Sequence, residues 1–197
     1  MFPLAIATGN TYILKPSERD PGCAIKLCAL ALEAGVPKGV LNVIHGAADS
    51  VNFLLDEPRI RAISFVGSDQ AGRHIWERGT KNGKRVQSNM GAKNHGVIMP
   101  DANRTATLNA LVGAAFGAAG QRCMALSVAV FVGESKNWLP DLITMAKSLK
   151  VNAGHVPGTD ICPMISPKAR DRAIDIITKS VEQVGTLNLH FLQMCKL

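Results

Sequence analysis

The sequence predicts an α/β fold: a parallel sheet with helices packed on both of its faces. Short β-branched runs alternate with segments of helical period, and the links between them are brief and marked by Gly and Pro. Apolar residues make up 47% of the chain while aromatics reach only 5%, so aliphatic and small side chains must carry the packing. Strand–helix alternation with short connections builds βαβ units, whose strands run parallel.

The opening "MFPLAIATGN" reads as a buried helix caught mid-element and lacks the charged start of a signal peptide. "TYILK" is a strand ending at Pro16. In "DPGCAIKLCALALEAGVPKGV" the apolar positions Ile25, Cys28, Ala31 and Leu32 keep helical period, and Gly35 with Pro37 stops the helix. "VLNVIHG" is the next strand, "SVNFLLDEP" a helix, "IRAISFVGS" a strand, "QAGRHIWERGTKNG" a helix and "KRVQSNMG" a strand. Past Gly91 the pattern changes. "HGVIM" and "LSVAVFVG" are strand-like, and "RTATLNALVGAAFG" places Leu108, Leu111, Val112, Ala115 and Phe116 on one helical face. Residues 137–150 and 168–184 read as amphipathic helices joined by the Gly/Pro-rich "NAGHVPGTDICPMISP". The expected division is a nucleotide-binding half, residues 1–92, and part of a second domain, residues 93–197.

Several function classes are disfavoured. The net charge is +7, but the 22 Lys and Arg are scattered without a basic run or aromatic platform, which argues against a nucleic-acid partner. Five cysteines with no CxxC pair and no His in ligand spacing argue against both a disulfide framework and a metal site, and favour a reducing compartment. No apolar run approaches the roughly 18–20 residues that cross a bilayer, so no membrane association is expected.

Three stretches can carry chemistry. "KPSER" follows a strand, where ligands of open parallel sheets lie, so Lys15 could donate to ribose hydroxyls and Glu18 accept from them. The same pentapeptide also reads as a solvated helix start capped by Ser17. "SFVGSDQAGRHI" ends a strand at Val66, with Gly67 admitting a close backbone and Ser68 opening a helix whose amides suit a pyrophosphate. An ordinary strand–helix turn has the same pattern, and neither common glycine-rich phosphate motif is present. "AAGQRCMALSVAVFVG" sets Cys123 after Gly120 and beside Arg122, ahead of a strand. A nucleophilic thiolate needs such a positive neighbourhood, whereas a structural cysteine needs none. Cys23 and Cys28 fall within helical period and Cys162 beside a proline, which suits structural roles.

"LKPSE", "EAGVPKGVLNVIHG", "ISFVGSDQAGRHI", "NMGAKNHGVIMPDAN" and "FGAAGQRCMA" occur in the order found in aldehyde dehydrogenases, and the resemblance covers roughly residues 1–170. The forms "KPSER", "NMGAKNH" and "AAGQRCMAL" resemble the CoA-acylating branch acting on methylmalonate and malonate semialdehydes in valine and pyrimidine catabolism. The resemblance implies an incomplete Rossmann-like NAD-binding sheet, lacking its first strand, plus part of the catalytic domain. Cys123 matches the nucleophile; Lys15, Glu18 and Arg19 the adenosine-ribose contacts; Gly67 and Ser68 the pyrophosphate contact. Met90 matches a residue whose backbone approaches the nicotinamide, and Arg122 suits a clamp for the substrate carboxylate. NAD as cofactor, CoA as co-substrate, a small semialdehyde as substrate, a homo-oligomeric parent and a mitochondrial location follow from the same resemblance.

Most members of that family have Glu-Leu-Gly-Gly-Lys where this chain has "NMGAK", so Asn89 stands at the general-base position. An Asn-bearing turn expected before Met1 and a later Glu-Glu-Ile-Phe-Gly-Pro segment are missing, and "LNLHFLQMCKL" departs from the pattern. The expectation is a fragment of an enzyme. Its alternatives are a non-catalytic nucleotide-binding or assembly module and an unstable truncated product.

Overall fold

A computed structural model describes residues 1–184 and shows an α/β chain divided into two compact units, Met1–Met90 and Gly91–Leu197. The first unit runs α1 (Phe2–Ala7), β1 (Tyr12–Leu14), α2 (Gly22–Glu33), β2 (Leu41–Val43), α3 (Ala48–Asp56), β3 (Ala62–Val66), α4 (Asp69–Lys81) and β4 (Arg85–Asn89). The second contains β5 (Asn94–Ile98), α5 (Arg104–Phe116), β6 (Leu126–Phe131), α6 (Leu139–Ser148) and α7 (Pro167–Val184). All named strand pairings among the described residues are parallel, as the alternation requires: β1 with β2, β3 with β4, and β5 with β6. Among the described residues the strands form three separate two-stranded sheets. The tail "LNLHFLQMCKL" and Cys195 lie outside the described residues.

In the first unit the core forms where α4 meets β4 and α3. Gly72, Ile75 and Gly79 are buried along one stripe of α4. A Cβ at Gly72 would lie 2.5 Å from Met90 Cγ, and one at Gly79 would lie 2.6 Å from Val86 Cγ2. Each glycine costs the helix about 0.5–1 kcal/mol relative to alanine, yet it lets the helix approach the strand closely. Ser68 caps α4 by accepting from the Ala71 amide, and Arg78 and Lys81 lie in the last turn, where cations suit the helix dipole. Arg78 also forms two parallel hydrogen bonds to Asp56, at 2.8 and 2.7 Å, and holds that carboxyl below its usual range. A lysine also lies in this core. Lys84 is only 6% exposed, its Nζ donating to the carbonyls of Glu57 and Ile60 and so closing the turn from α3 to β3.

The second unit packs α5 and α6 against β5 and β6 around Ile98, Leu108 and Leu111, with Phe131, Trp138 and Met145 joining. Asn103 caps α5 by accepting from the Ala106 amide at 2.9 Å. Ser135 is fully buried, with its hydroxyl within hydrogen-bond reach of the carbonyls of Ile98 and Val132.

Three local expectations fail. The opening helix α1 buries no residue, because six residues supply too narrow a face to be covered. Ser17 does not cap α2: the helix starts after Pro21, and the Ser17 hydroxyl instead accepts from the Arg19 amide at 3.2 Å. On α2 only Cys28 is buried while Ile25 and Leu32 stay exposed, since three-residue strands β1 and β2 offer little surface to a 12-residue helix. Among the described residues no helix is long and apolar enough to cross a membrane.

Candidate active site

Cys123 lies on the loop between α5 and β6, and its side chain is exposed. The loop owes its shape to three successive residues in the left-handed region: Ala118 (φ 52°), Ala119 (φ 55°) and Gly120 (φ 73°). Glycine adopts that conformation freely, but an L-alanine pays about 1–2 kcal/mol there. Surrounding contacts hold the turn. Gln121 bridges it: its Nε2 donates to the Ala118 carbonyl at 3.0 Å, and its Oε1 accepts from the Ile165 amide at 3.0 Å. From β5, Asn94 Nδ2 donates to the carbonyls of Cys123 and Ala125, both at 2.9 Å. Sequence reasoning missed Gln121 and Asn94, although Gln121 stands in the quoted "GQRC" and Asn94 in "NMGAKNH".

The strain is open to test. Ala119→Gly removes the left-handed penalty but adds unfolded-state freedom worth about 0.4–1 kcal/mol. The expected net gain is about 0.5–1 kcal/mol, read as a higher urea midpoint for the second unit, and no gain would mean the alanine is unstrained.

Arg122 places its guanidinium over Gly117, where an added Cβ would come within 2.5 Å of Nη1. The glycine is thus needed for the arginine to lie flat on the chain. Behind the left-handed turn, Phe116, Ala119, Cys162, Met164 and Ile177 line an apolar cavity of about 240 Å³. Cys123 is not among its lining residues, so the cavity does not open onto the thiol. Cys162 and Cys23 are exposed and Cys28 is buried.

In the first unit, the residues matched to cofactor contacts gather at carboxyl ends of strands. Lys15 follows β1, and its Nζ donates to the carbonyls of Pro16 and of Gly46, at 3.0 Å to the latter, just past β2. An ammonium has three protons, so one donor remains for a ribose hydroxyl. Glu18 and Arg19 are exposed in the turn that follows, where the Arg19 amide donates to the Ser17 hydroxyl. Gly67 follows β3 and donates its amide to the Asn89 carbonyl at 3.1 Å, so these two positions are brought together at the ends of paired strands. An added Cβ at Gly67 would lie 2.4 Å from Phe65 Cζ: the glycine leaves room for its own strand's ring. Ser68 opens α4 beside it, and the Met90 side chain fills the notch left by Gly72. A lysine with a spare proton, a carboxylate and an exposed helix N-terminus after a glycine fit an NAD molecule. Among the described residues no cluster of His, Cys, Asp and Glu could hold a metal ion.

The chain is similar to known proteins in sequence and in fold. Over 189 residues the chain is 65% identical to a probable methylmalonate-semialdehyde/malonate-semialdehyde dehydrogenase [acylating], mitochondrial, of Aedes aegypti, covering 96% of this chain and 36% of that protein. The Mus musculus protein of that description is 59% identical, with 96% of this chain and 35% of that one covered. The chain therefore spans about a third of the length of these curated relatives. A crystal structure of a putative methylmalonate-semialdehyde dehydrogenase from Sinorhizobium meliloti complexed with NAD superposes with a TM-score of 0.86 at 46% identity, covering 93% of this chain and 38% of that one. The methylmalonate-semialdehyde dehydrogenase of Oceanimonas doudoroffii gives 0.88 at 42% identity, with 96% and 39% covered. Residues 1–190 match the aldehyde dehydrogenase family, and the chain belongs to that family.

Proposed function

We propose that this chain carries the nucleophile and part of the dinucleotide-binding surface of an NAD-dependent, CoA-acylating methylmalonate/malonate-semialdehyde dehydrogenase. The observation that carries the reading is the exposed thiol of Cys123 on a loop held in an otherwise unfavourable conformation. Similarity to relatives of that name supports the substrate class, and their mitochondrial description supports a mitochondrial setting. A neighbour solved with NAD supports the cofactor.

The chemistry follows from the residues. Cys123 Sγ, as thiolate, forms a bond to the aldehyde carbon and retains the acyl group as a thioester. NAD, when bound, supplies the hydride acceptor that this oxidation needs. Lys15 and Glu18 are assigned to a ribose of the cofactor, Arg19 beside them to the same moiety, and Ser68 after Gly67 to the pyrophosphate. The backbone at Met90 is assigned to the nicotinamide side. Arg122, a planar guanidinium anchored over Gly117, is assigned to the substrate carboxylate. CoA thiol then takes the acyl group and frees Cys123, so that aldehyde, CoA and NAD become acyl-CoA and NADH with release of one proton.

Asn89 sets the choice of acceptor. Water attacks a thioester only with a base to remove its proton, whereas a thiol of pKa near 8.5 is already partly ionised at mildly alkaline pH. An amide side chain cannot serve as that base. Asn89→Glu is therefore expected to shift the partition from thiolysis towards hydrolysis. Well-placed general bases contribute about 100- to 10,000-fold, but a transplanted carboxylate is poorly oriented, so about tenfold is expected. Deacylation rates measured with and without CoA check it, and an unchanged ratio would remove the missing base as the cause.

The test of the whole reading places residues 1–184 into the matching region of the Aedes aegypti relative. After reaction with methylmalonate semialdehyde and NAD, mass spectrometry should find the acyl group on Cys123, and an adduct confined to another cysteine would overturn the assignment. Calorimetry of the 197-residue chain with NAD, beside a turnover assay, separates enzyme from binding module. Binding without NADH formation in the chain and in the graft would favour the module.

A further inference from the structure

We propose that Asn94 is the positioning residue of the Cys123 loop, clamping the peptide groups on either side of the Met124–Ala125 pair to the start of β5. This inference rests on Cys123 being the nucleophile, but the clamp itself is visible in the geometry. One side-chain amide nitrogen sits 2.9 Å from the Cys123 carbonyl oxygen and 2.9 Å from that of Ala125. Two acceptors can be met only by the donor end of the amide, which fixes the side chain's orientation without ambiguity. Fixing both carbonyls fixes two peptide planes, and the thiol of Cys123 hangs from the first of them.

The strand pairing shows how Asn94 comes to face this loop. Along β5 and β6 the register runs Asn94 with Leu126 and then His95 with Val128, so Ser127 is an extra residue on β6. Such a bulge bends a strand and redirects nearby side chains, and bulges recur beside active sites. The irregularity falls at the residue that reaches back to the cysteine loop. Asn94 is half-buried, and its bond to the Ala125 carbonyl is partly shielded from water while the one to the Cys123 carbonyl is exposed. Gln121 ties the amino-terminal side of the same loop to Ile165, so the nucleophile segment is held from both directions.

The clamp predicts a graded, local effect. Asn94→Ala removes both donors, and Asn94→Ser keeps one hydroxyl donor. The reporter is the Ala125 amide, which donates to the Arg122 carbonyl at 3.1 Å inside the clamped turn. In the 197-residue chain its hydrogen exchange should become about tenfold faster with Asn94→Ala and less so with Asn94→Ser, while the amides of α5 keep their wild-type rates. In the grafted enzyme, kcat should fall about tenfold with Asn94→Ala at unchanged KM for NAD, and Asn94→Ser should recover part of it. Unchanged Ala125 exchange in Asn94→Ala, or exchange raised equally throughout α5, would overturn the proposal. So would an unaltered kcat. Should Asn94→Ala not fold, the Asn94→Ser comparison decides by the same two readings. Failure of an acyl group to appear on Cys123 in the unsubstituted graft would instead refute the nucleophile assignment, and the exchange result would still decide the clamp.

Discussion

Replacing Cys123 by alanine in the grafted enzyme should lower NADH formation from the semialdehyde by about 10⁴-fold or more. Losses of that order and larger accompany removal of a covalent nucleophile, because the acyl intermediate can no longer form. NAD affinity should stay the same, since Lys15, Glu18, Gly67 and Ser68 all belong to the first unit and Cys123 to the second. Cys123→Ser is expected to be nearly as inactive, for a hydroxyl is far less ionised than a thiol near neutral pH. Parallel measurement of steady-state turnover and of NAD binding by calorimetry checks both halves of the expectation. Turnover within tenfold of the unsubstituted graft would leave Cys123 a structural residue.

The largest stability effect is expected at Leu55. It is 1% exposed, the most buried large apolar side chain of the first unit, and its Cδ2 lies 3.3 Å from the position a Gly79 Cβ would occupy. Leu55→Ala removes the methyl groups that seat α3 against α4 and leaves a cavity the backbone cannot readily close. Such truncations cost about 2–5 kcal/mol. For a unit of this size that corresponds to a melting shift of roughly 10 °C or more, enough to unfold it if it is marginal. A thermal melt followed by circular dichroism, with hydrogen exchange in α5 as the internal reference, measures it. A shift of only one or two degrees would show that α3 and α4 do not form a cooperative core.

The order of strands and helices was legible in the amino acids, because period and punctuation are local properties. "QAGRHIWERGTKNG" shows its helix through Ile75 and its flanking Gly67 and Gly83, and α4 occupies Asp69–Lys81. "KRVQSNMG" similarly contains β4, Arg85–Asn89. Cys123 stood out as a candidate too, through the small residues and the Gly-Gln-Arg run before it, though its exposure did not. Burial was not legible. Period assigns a face to α2, but it cannot say that three-residue strands leave Ile25 and Leu32 uncovered. Nor could Gly117 or Ala118 disclose that an arginine lies over one and that the other adopts a left-handed turn.

The sequence by itself thus determined the α/β class, the element order and the motif set around Cys123. Tertiary structure alone decided what holds that cysteine's loop and what closes the core. Lys84 reaches carbonyls 24 and 27 positions away, Asn94 reaches the Cys123 carbonyl across 29, and Gln121 meets the Ile165 amide across 44. A lysine or an amide carries no mark of such a partner, since its donors are satisfied equally well by water until the fold removes the water. The strands and helices come from neighbours in the chain. The clamp comes from neighbours in space.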